Sequence, residues 1–166
     1  MAVINDYVDS NIASGKLNSG ALVNGGAVKV VPVTFEIAAA DDDASIYRVL
    51  KDINPDLIPV KIELYTDAMT GATDYDLGIY LPLSEGGAEI DKDVFLDGKD
   101  VNAGNLKASP IDGMTNVNIA NLQKKIFEHA GHTIATKKRG YDIAITANTV
   151  GSGAGTVTVV FYFIQG

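Results

Sequence analysis

From Val28 onward, apolar and polar side chains alternate along one segment after another, and a period of two is the signature of half-buried strands. In the first such segment Val31, Val33, Phe35 and Ile37 alternate with Val30, Pro32, Thr34 and Glu36. Pro32 has no N–H for a strand ladder, which predicts an edge position or a bulge. Residues 38–44, with Asp41, Asp42 and Asp43, read as a loop, and residues 46–50 as the next strand. Asn54-Pro55 and Ile58-Pro59 bracket a turn, because a residue before proline avoids the helical region. Val60, Ile62 and Leu64 then alternate with Lys61, Glu63 and Tyr65, and after a turn at residues 70–73, Tyr75, Leu77, Ile79 and Leu81 alternate with Asp76, Gly78 and Tyr80. Pro82 ends that strand and Gly86-Gly87 turns the chain. Residues 89–101 hold only short apolar pieces, Val94-Phe95-Leu96, among aspartates, and read as a short strand or an irregular loop.

Near the C-terminus Tyr141, Ile143, Ile145 and Ala147 alternate with Asp142, Ala144 and Thr146. Val157, Val159, Phe161 and Phe163 alternate on the far side of a glycine-rich loop, residues 151–155. The pattern predicts a β-hairpin. Val160, Tyr162 and Ile164 make the second face of the last strand apolar too, which predicts a central strand or one covered by another subunit. Residues 116–130 are the one helical candidate, with Ile119, Leu122, Ile126 and Ala130 on one face and Lys124, Lys125 and Glu128 outward. Asn116 or Asn118 is placed to cap its start and Gly131 to end it. Closely spaced strands with turns between them predict an all-β antiparallel sandwich or barrel over residues 28–166.

Residues 1–27 have a different texture. They are rich in Asn, Ser, Gly and Ala, and their apolar side chains, Val3, Ile4, Tyr7, Val8, Ile12, Leu17, Leu22 and Val23, keep no period. This reads as an extended N-terminal arm that gains order when something ties it down, with those side chains as anchors on another subunit.

At 166 residues the chain fits one domain and needs no disulfide or metal to fold. It has no cysteine, which excludes a thiol nucleophile and a thiolate metal site. No apolar run approaches the roughly 18 to 20 residues that span a bilayer, so no membrane partner is expected. The start, MAVINDYVDSN, lacks a basic region and an apolar core, which predicts synthesis in a cytoplasm without export by a signal. Net charge is −8, which disfavours nucleic acid as a partner. The charge is uneven: residues 41–112 carry 16 acidic and 6 basic side chains, whereas residues 113–166 carry 2 acidic and 5 basic. Such asymmetry suits a contact with an opposite charge on a neighbour, or simply a solvated surface.

The candidates for chemistry are few. Asp74 and Asp76, and Asp91 and Asp93, stand two apart and share a strand face, a spacing that could serve a hard cation or acid–base work. No EF-hand ligand run surrounds them, and solvent-facing turn aspartates are the plainer reading. His129 and His132 are the only histidines, with no further ligand pair for zinc; a histidine at a helix C-terminus favours the negative end of the dipole. No GxSxG elbow is present, and the GSGAG loop leads into no helix that could cradle phosphate. Lys137, Lys138 and Arg139 form a compact basic run, suited to an acidic partner or to solvent. Nothing here rises to a catalytic constellation, so neither an enzyme nor a cofactor is expected.

The stretches VTFEIAAADDDASIYRVLKDI, LIPVKIELYTDAMTGATDYDLGIYL, GAEIDKDVFLDG, IFEHAG and YDIAITANTVGSGAGTVTVVFYF, in that order, resemble the small capsid decoration (cement) or head-associated proteins of phage virions. The resemblance covers roughly residues 33–164 and rests on pattern rather than on one diagnostic motif. It implies a jelly-roll-like β-sandwich, a place on the virion capsid surface, the major capsid protein as partner, and no active site. Symmetric sites on a shell favour a symmetric homo-oligomer, and a trimer suits a local threefold. Two other functions compete: a tail, fibre or adhesion module binding host glycans through Tyr65, Tyr75 and Tyr80, and a carboxylate-based sandwich enzyme.

Overall fold

The computed structural model of the protein describes residues 27–105 and 109–166. The anchors expected at Val3 to Val23 therefore lie outside the described residues. Eight strands form two four-stranded antiparallel sheets that pack face to face: β1 (Lys29–Ile37), β2 (Ser45–Ile53), β3 (Leu57–Thr66), β4 (Asp74–Tyr80), β5 (Glu89–Lys99), β6 (Ile111–Asp112), β7 (Tyr141–Thr149) and β8 (Gly155–Gln165). The first sheet has the order β1-β8-β3-β6 and the second β2-β7-β4-β5. Among the described residues only β4 and β5 are consecutive strands that pair, and every other pair of consecutive strands lies on opposite sheets. This is a jelly roll, the antiparallel sandwich that the alternating segments predict.

The alternation is realised as a shared core. Val31, Val33 and Ile37 of β1, Ile62 and Leu64 of β3, and Val157, Val159, Phe161 and Phe163 of β8 face inward from the first sheet. Tyr47, Val49, Leu77, Ile79, Ile143 and Ile145 face them from the second. β1 is an edge strand, as Pro32 requires, and β8 runs between β1 and β3, as its two apolar faces require. Pro59 lies inside β3 rather than in a turn, beside the register shift between Pro59 and Lys61, where a bulge tolerates the missing N–H.

Two expectations fail. β7 and β8 are strands over the expected residues, but they do not form a hairpin, since they belong to opposite sheets. Alternation sets which side chains face inward and leaves the ladder partner open. The glycine loop spans the gap between sheets and is pinned to the β3–β4 turn, where Ser152 N–H donates to the Thr70 carbonyl at 2.8 Å. Gly151 has φ 84°, and a Cβ there would stand 2.4 Å from that carbonyl oxygen.

The helix over 116–130 also shrinks. Residues Ile119–Asn121 form one 3-10 turn, capped by the Asn118 side chain, which accepts from Ala120 N–H, and only Ile126–His129 is α-helical (α1). Ile119 is 84% exposed and Leu122 42%, so the apolar stripe is not a buried face. Gly131 stands just past α1 with φ 71°, in the left-handed region that ends a helix.

Candidate functional site

The outer faces of the two sheets differ. That of the second sheet carries Arg48 from β2, Asp142, Ala144 and Thr146 from β7, and Asp76, Gly78 and Tyr80 from β4, set side by side by the pairings Arg48–Ala144, Asp76–Thr146, Gly78–Ala144 and Tyr80–Asp142. All but Arg48 are fully buried, and the Arg48 side chain is 5% exposed. Arg48 forms an ion pair with Asp142 at 2.8 Å, donates to the carbonyls of Leu81 and Gly87, and lies over the Tyr80 ring. Asp142 also accepts from Asp52 N–H at 2.7 Å, and the Tyr80 hydroxyl bonds to Thr146.

β5 is the cover. Its pairing with β4 slips from Leu77–Leu96 to Ile79–Asp91, so extra residues arch across the sheet. The arch rests on Gly78, where a Cβ would stand 2.1 Å from the Asp91 carbonyl oxygen. This is why residues 89–101 show no alternation although Glu89–Lys99 within them form an eleven-residue strand. Lys92 on the arch donates to Asn148 Oδ1 at 2.8 Å and stands 3.4 Å from Asp76.

The acidic pairs are absorbed into this seal. Asn148 donates to Asp74 at 2.9 Å and to Asp76 at 2.6 Å, and Asp76 accepts from Gly98 N–H at 2.8 Å. Asp91 is pushed up to about 6, first by burial and then by its hydrogen bond to Asp93. Among the described residues no group of three or more acidic or histidine side chains could hold a metal ion. The histidines point to different partners: His129 is buried against Phe95 with ring centroids 5.3 Å apart, whereas His132 Nδ1 bonds to the Tyr141 hydroxyl. His129 Nε2 has no hydrogen-bond partner among the described residues, and burial, then the Lys124 charge, pushes its pKa down to about 4. His129 stands in the last turn of α1, the helix C-terminal position expected for it.

The outer face of the first sheet has no such cover among the described residues. Val30, Pro32 and Thr34 of β1 lie beside Tyr162, Val160 and Thr158 of β8, which lie beside Lys61, Glu63 and Tyr65 of β3. Val30 is 48% exposed, and Pro32 and Thr34 are exposed too. Tyr65, Thr158, Val160 and Tyr162 line a shallow depression of about 460 Å³. One polar cluster crosses it: Glu63 accepts from Lys61 at 2.7 Å and from the Tyr162 hydroxyl at 2.7 Å, and Lys61 lies over the Tyr162 ring. The Lys61 bond, then that of Tyr162, lowers the Glu63 pKa. Beyond the short β6, a groove of about 480 Å³ continues the apolar surface with Val60, Ile119 and Leu122. Of the three tyrosines proposed for glycan binding, Tyr75 and Tyr80 are fully buried and only Tyr65 reaches this surface.

The basic run is divided. Lys137 forms a two-pronged pair with Asp56 at 2.8 and 2.9 Å and covers the Phe127 ring, while Lys138 and Arg139 are exposed beside Asp52 and Asn54. The structure thus holds each acidic pair together, Asp74 and Asp76 through Asn148 and Asp91 against Asp93, sends the two histidines to different partners, and leaves an open sheet face elsewhere. The Arg48–Asp142 pair escaped the sequence reading, which set Asp142 outward; the small residues Ala144 and Thr146 beside it were the available signal of a second buried face.

No known protein family matches the chain, and no curated protein sequence matches it. The fold is shared with solved phage capsid structures. A chain of the cyanophage Pam1 capsid asymmetric unit superposes with a TM-score of 0.54 at 15% identity, covering 86% of this chain and 88% of that one. A chain of the capsid of Ralstonia phage GP4 gives a TM-score of 0.54 at 13% identity, covering 96% of this chain and 97% of that one. No helix among the described residues is long and apolar enough to cross a membrane.

Proposed function

We propose that the protein is a structural, non-enzymatic component of a phage virion: a capsid decoration or cement protein that binds the major capsid protein lattice and stabilises the head. The observation that carries this reading is the jelly roll shared over nearly the whole chain with chains of two phage capsids. A close-packed double sheet with a sealed outer face resists deformation, which suits a shell under internal pressure. The protein then sits on the capsid surface as a symmetric homo-oligomer, a trimer at a local threefold. Val3, Ile4, Tyr7, Val8, Ile12, Leu17, Leu22 and Val23 are its apolar contacts to capsid or subunit, and Lys138 and Arg139 are free to meet acidic groups on the lattice.

The test is occupancy on empty capsids of the parent phage that lack this protein. Full-length chain should bind at a fixed ratio to the major capsid protein, and residues 28–166 alone should bind more weakly. No binding by the full-length chain overturns the assignment; equal occupancy by both removes the arm from it.

A further inference from the structure

We infer that residues 1–26 of one copy lie across the outer face of the first sheet of a second copy, so that copies are joined by exchanged arms. This deepens the reading above, on which it rests, by naming what the arm touches.

The first support is the contrast between the faces. The fold seals the outer face of the second sheet with its own β5, whereas on the first sheet Val30 and Pro32 are exposed and Val160, Tyr162 and Tyr65 are half-buried with no strand laid across them among the described residues. These side chains form a continuous strip across three adjacent strands, and exposed apolar strips of this kind mark interaction sites. The one charged pair in the strip, Lys61 and Glu63, is matched within it and leaves no unpaired carboxylate there.

The second support is the length and the entry point of the remaining chain. Twenty-six residues precede Ala27 and carry eight spaced apolar side chains. Fully extended they reach up to about 85 Å at roughly 3.3 Å per residue, whereas a four-stranded sheet is only about 20 Å wide. The segment is therefore long enough to leave its own molecule and still cross a neighbour's face. It joins at Ala27, just before the first pair of an edge strand, Lys29 with Phe163. Ala27 and Val28 precede that pair, so the arm meets β1 at an outer corner of the first sheet. Exchange of an identical element between copies is a low-cost route to symmetric association.

A complementation experiment tests this. One chain lacks residues 2–26 and keeps the face; the other keeps the arm and carries Val160→Asp. Val30→Asp, on the exposed edge strand, serves as the second face variant if Val160→Asp does not fold. Sedimentation of the full-length protein should give the mass of an oligomer, and each altered chain alone should fall to the mass of one chain. Mixed in equal amounts, the two altered chains should regain a 1:1 complex, since one supplies the arm and the other the face. A truncated chain that stays oligomeric, a full-length chain that is monomeric, or a mixture that forms no complex overturns the exchange. Capsid occupancy is scored separately: decoration by chains that never exchange arms leaves the decoration reading standing, and exchange without decoration does the reverse.

Discussion

The two outer faces of this sandwich solve the same problem in opposite ways. Each sheet buries one face in the common core, and the other must meet water, the chain itself or a partner. The second sheet folds its own β5 over a set of polar side chains and closes Arg48 and Asp142 inside. The first sheet displays valine, proline and tyrosine with no cover among the described residues. A charge pair taken out of water contributes little net stability against an apolar replacement, but removing one partner is costly. The sealed face therefore specifies the geometry of β2, β7 and the β4–β5 turn, and the open face is left free for contact.

The largest expected effect breaks the sealed face. Arg48→Ala strands the buried Asp142 carboxylate and should lower stability by about 3–5 kcal/mol, read as a fall in the urea midpoint. A loss below about 1 kcal/mol would show that water reaches the pair. Next comes Gly78→Ala, whose methyl group would collide with the backbone of the arch. Lifting β5 should cost about 1–3 kcal/mol, and hydrogen exchange at residues 91–93 should speed up while the first sheet is unchanged.

A smaller effect is pH-dependent. The Asp91 pKa of about 6 lies above the unfolded value, so between about pH 4 and pH 6 the folded state holds a proton that the unfolded state has lost. Stability from this group is thus fully present at low pH and falls as pH rises through 6. Asp91→Asn should raise stability at pH 7 by about 1 kcal/mol, a value reduced for solvent screening, and the gain should shrink toward pH 4. A gain equal at both pH values would remove the raised carboxyl from the account. The smallest effect belongs to the open face. Thr34→Val, which removes the hydroxyl contact to Thr158, should change the melting stability of the chain lacking residues 2–26 by no more than about 0.5 kcal/mol. A larger change would mean that this face is not open.

The inward halves of the strands were readable because burial on one face leaves a period of two in the chain, as in Val31, Val33 and Ile37 or Val157, Val159 and Phe161. Pro32 even located the sheet edge. Pairing was less readable, since the same alternation in β7 and β8 fits a hairpin and a crossover alike. β5 was obscured because an arched strand spends residues outside the ladder. The helix expected over 116–130 is present only at Ile126–His129, because Ile119 and Leu122, although correctly spaced, face outward and bury no face there. The candidate face was half legible: the apolar second face of Val160, Tyr162 and Ile164 was visible, but its continuity with Val30 and Pro32 depends on β1 and β8 being neighbours, a contact between the two ends of the sandwich domain.

That contact constrains biosynthesis. β8 supplies the ladder between β1 and β3, so the first sheet has no centre until Gly155–Gln165 has been made and is free to pair. The long-range pairings of this layer make its folding slow relative to helical domains of similar size. A nascent chain stalled before Gly155 would present β1 and β3 as unpaired edges to every other copy in the cell.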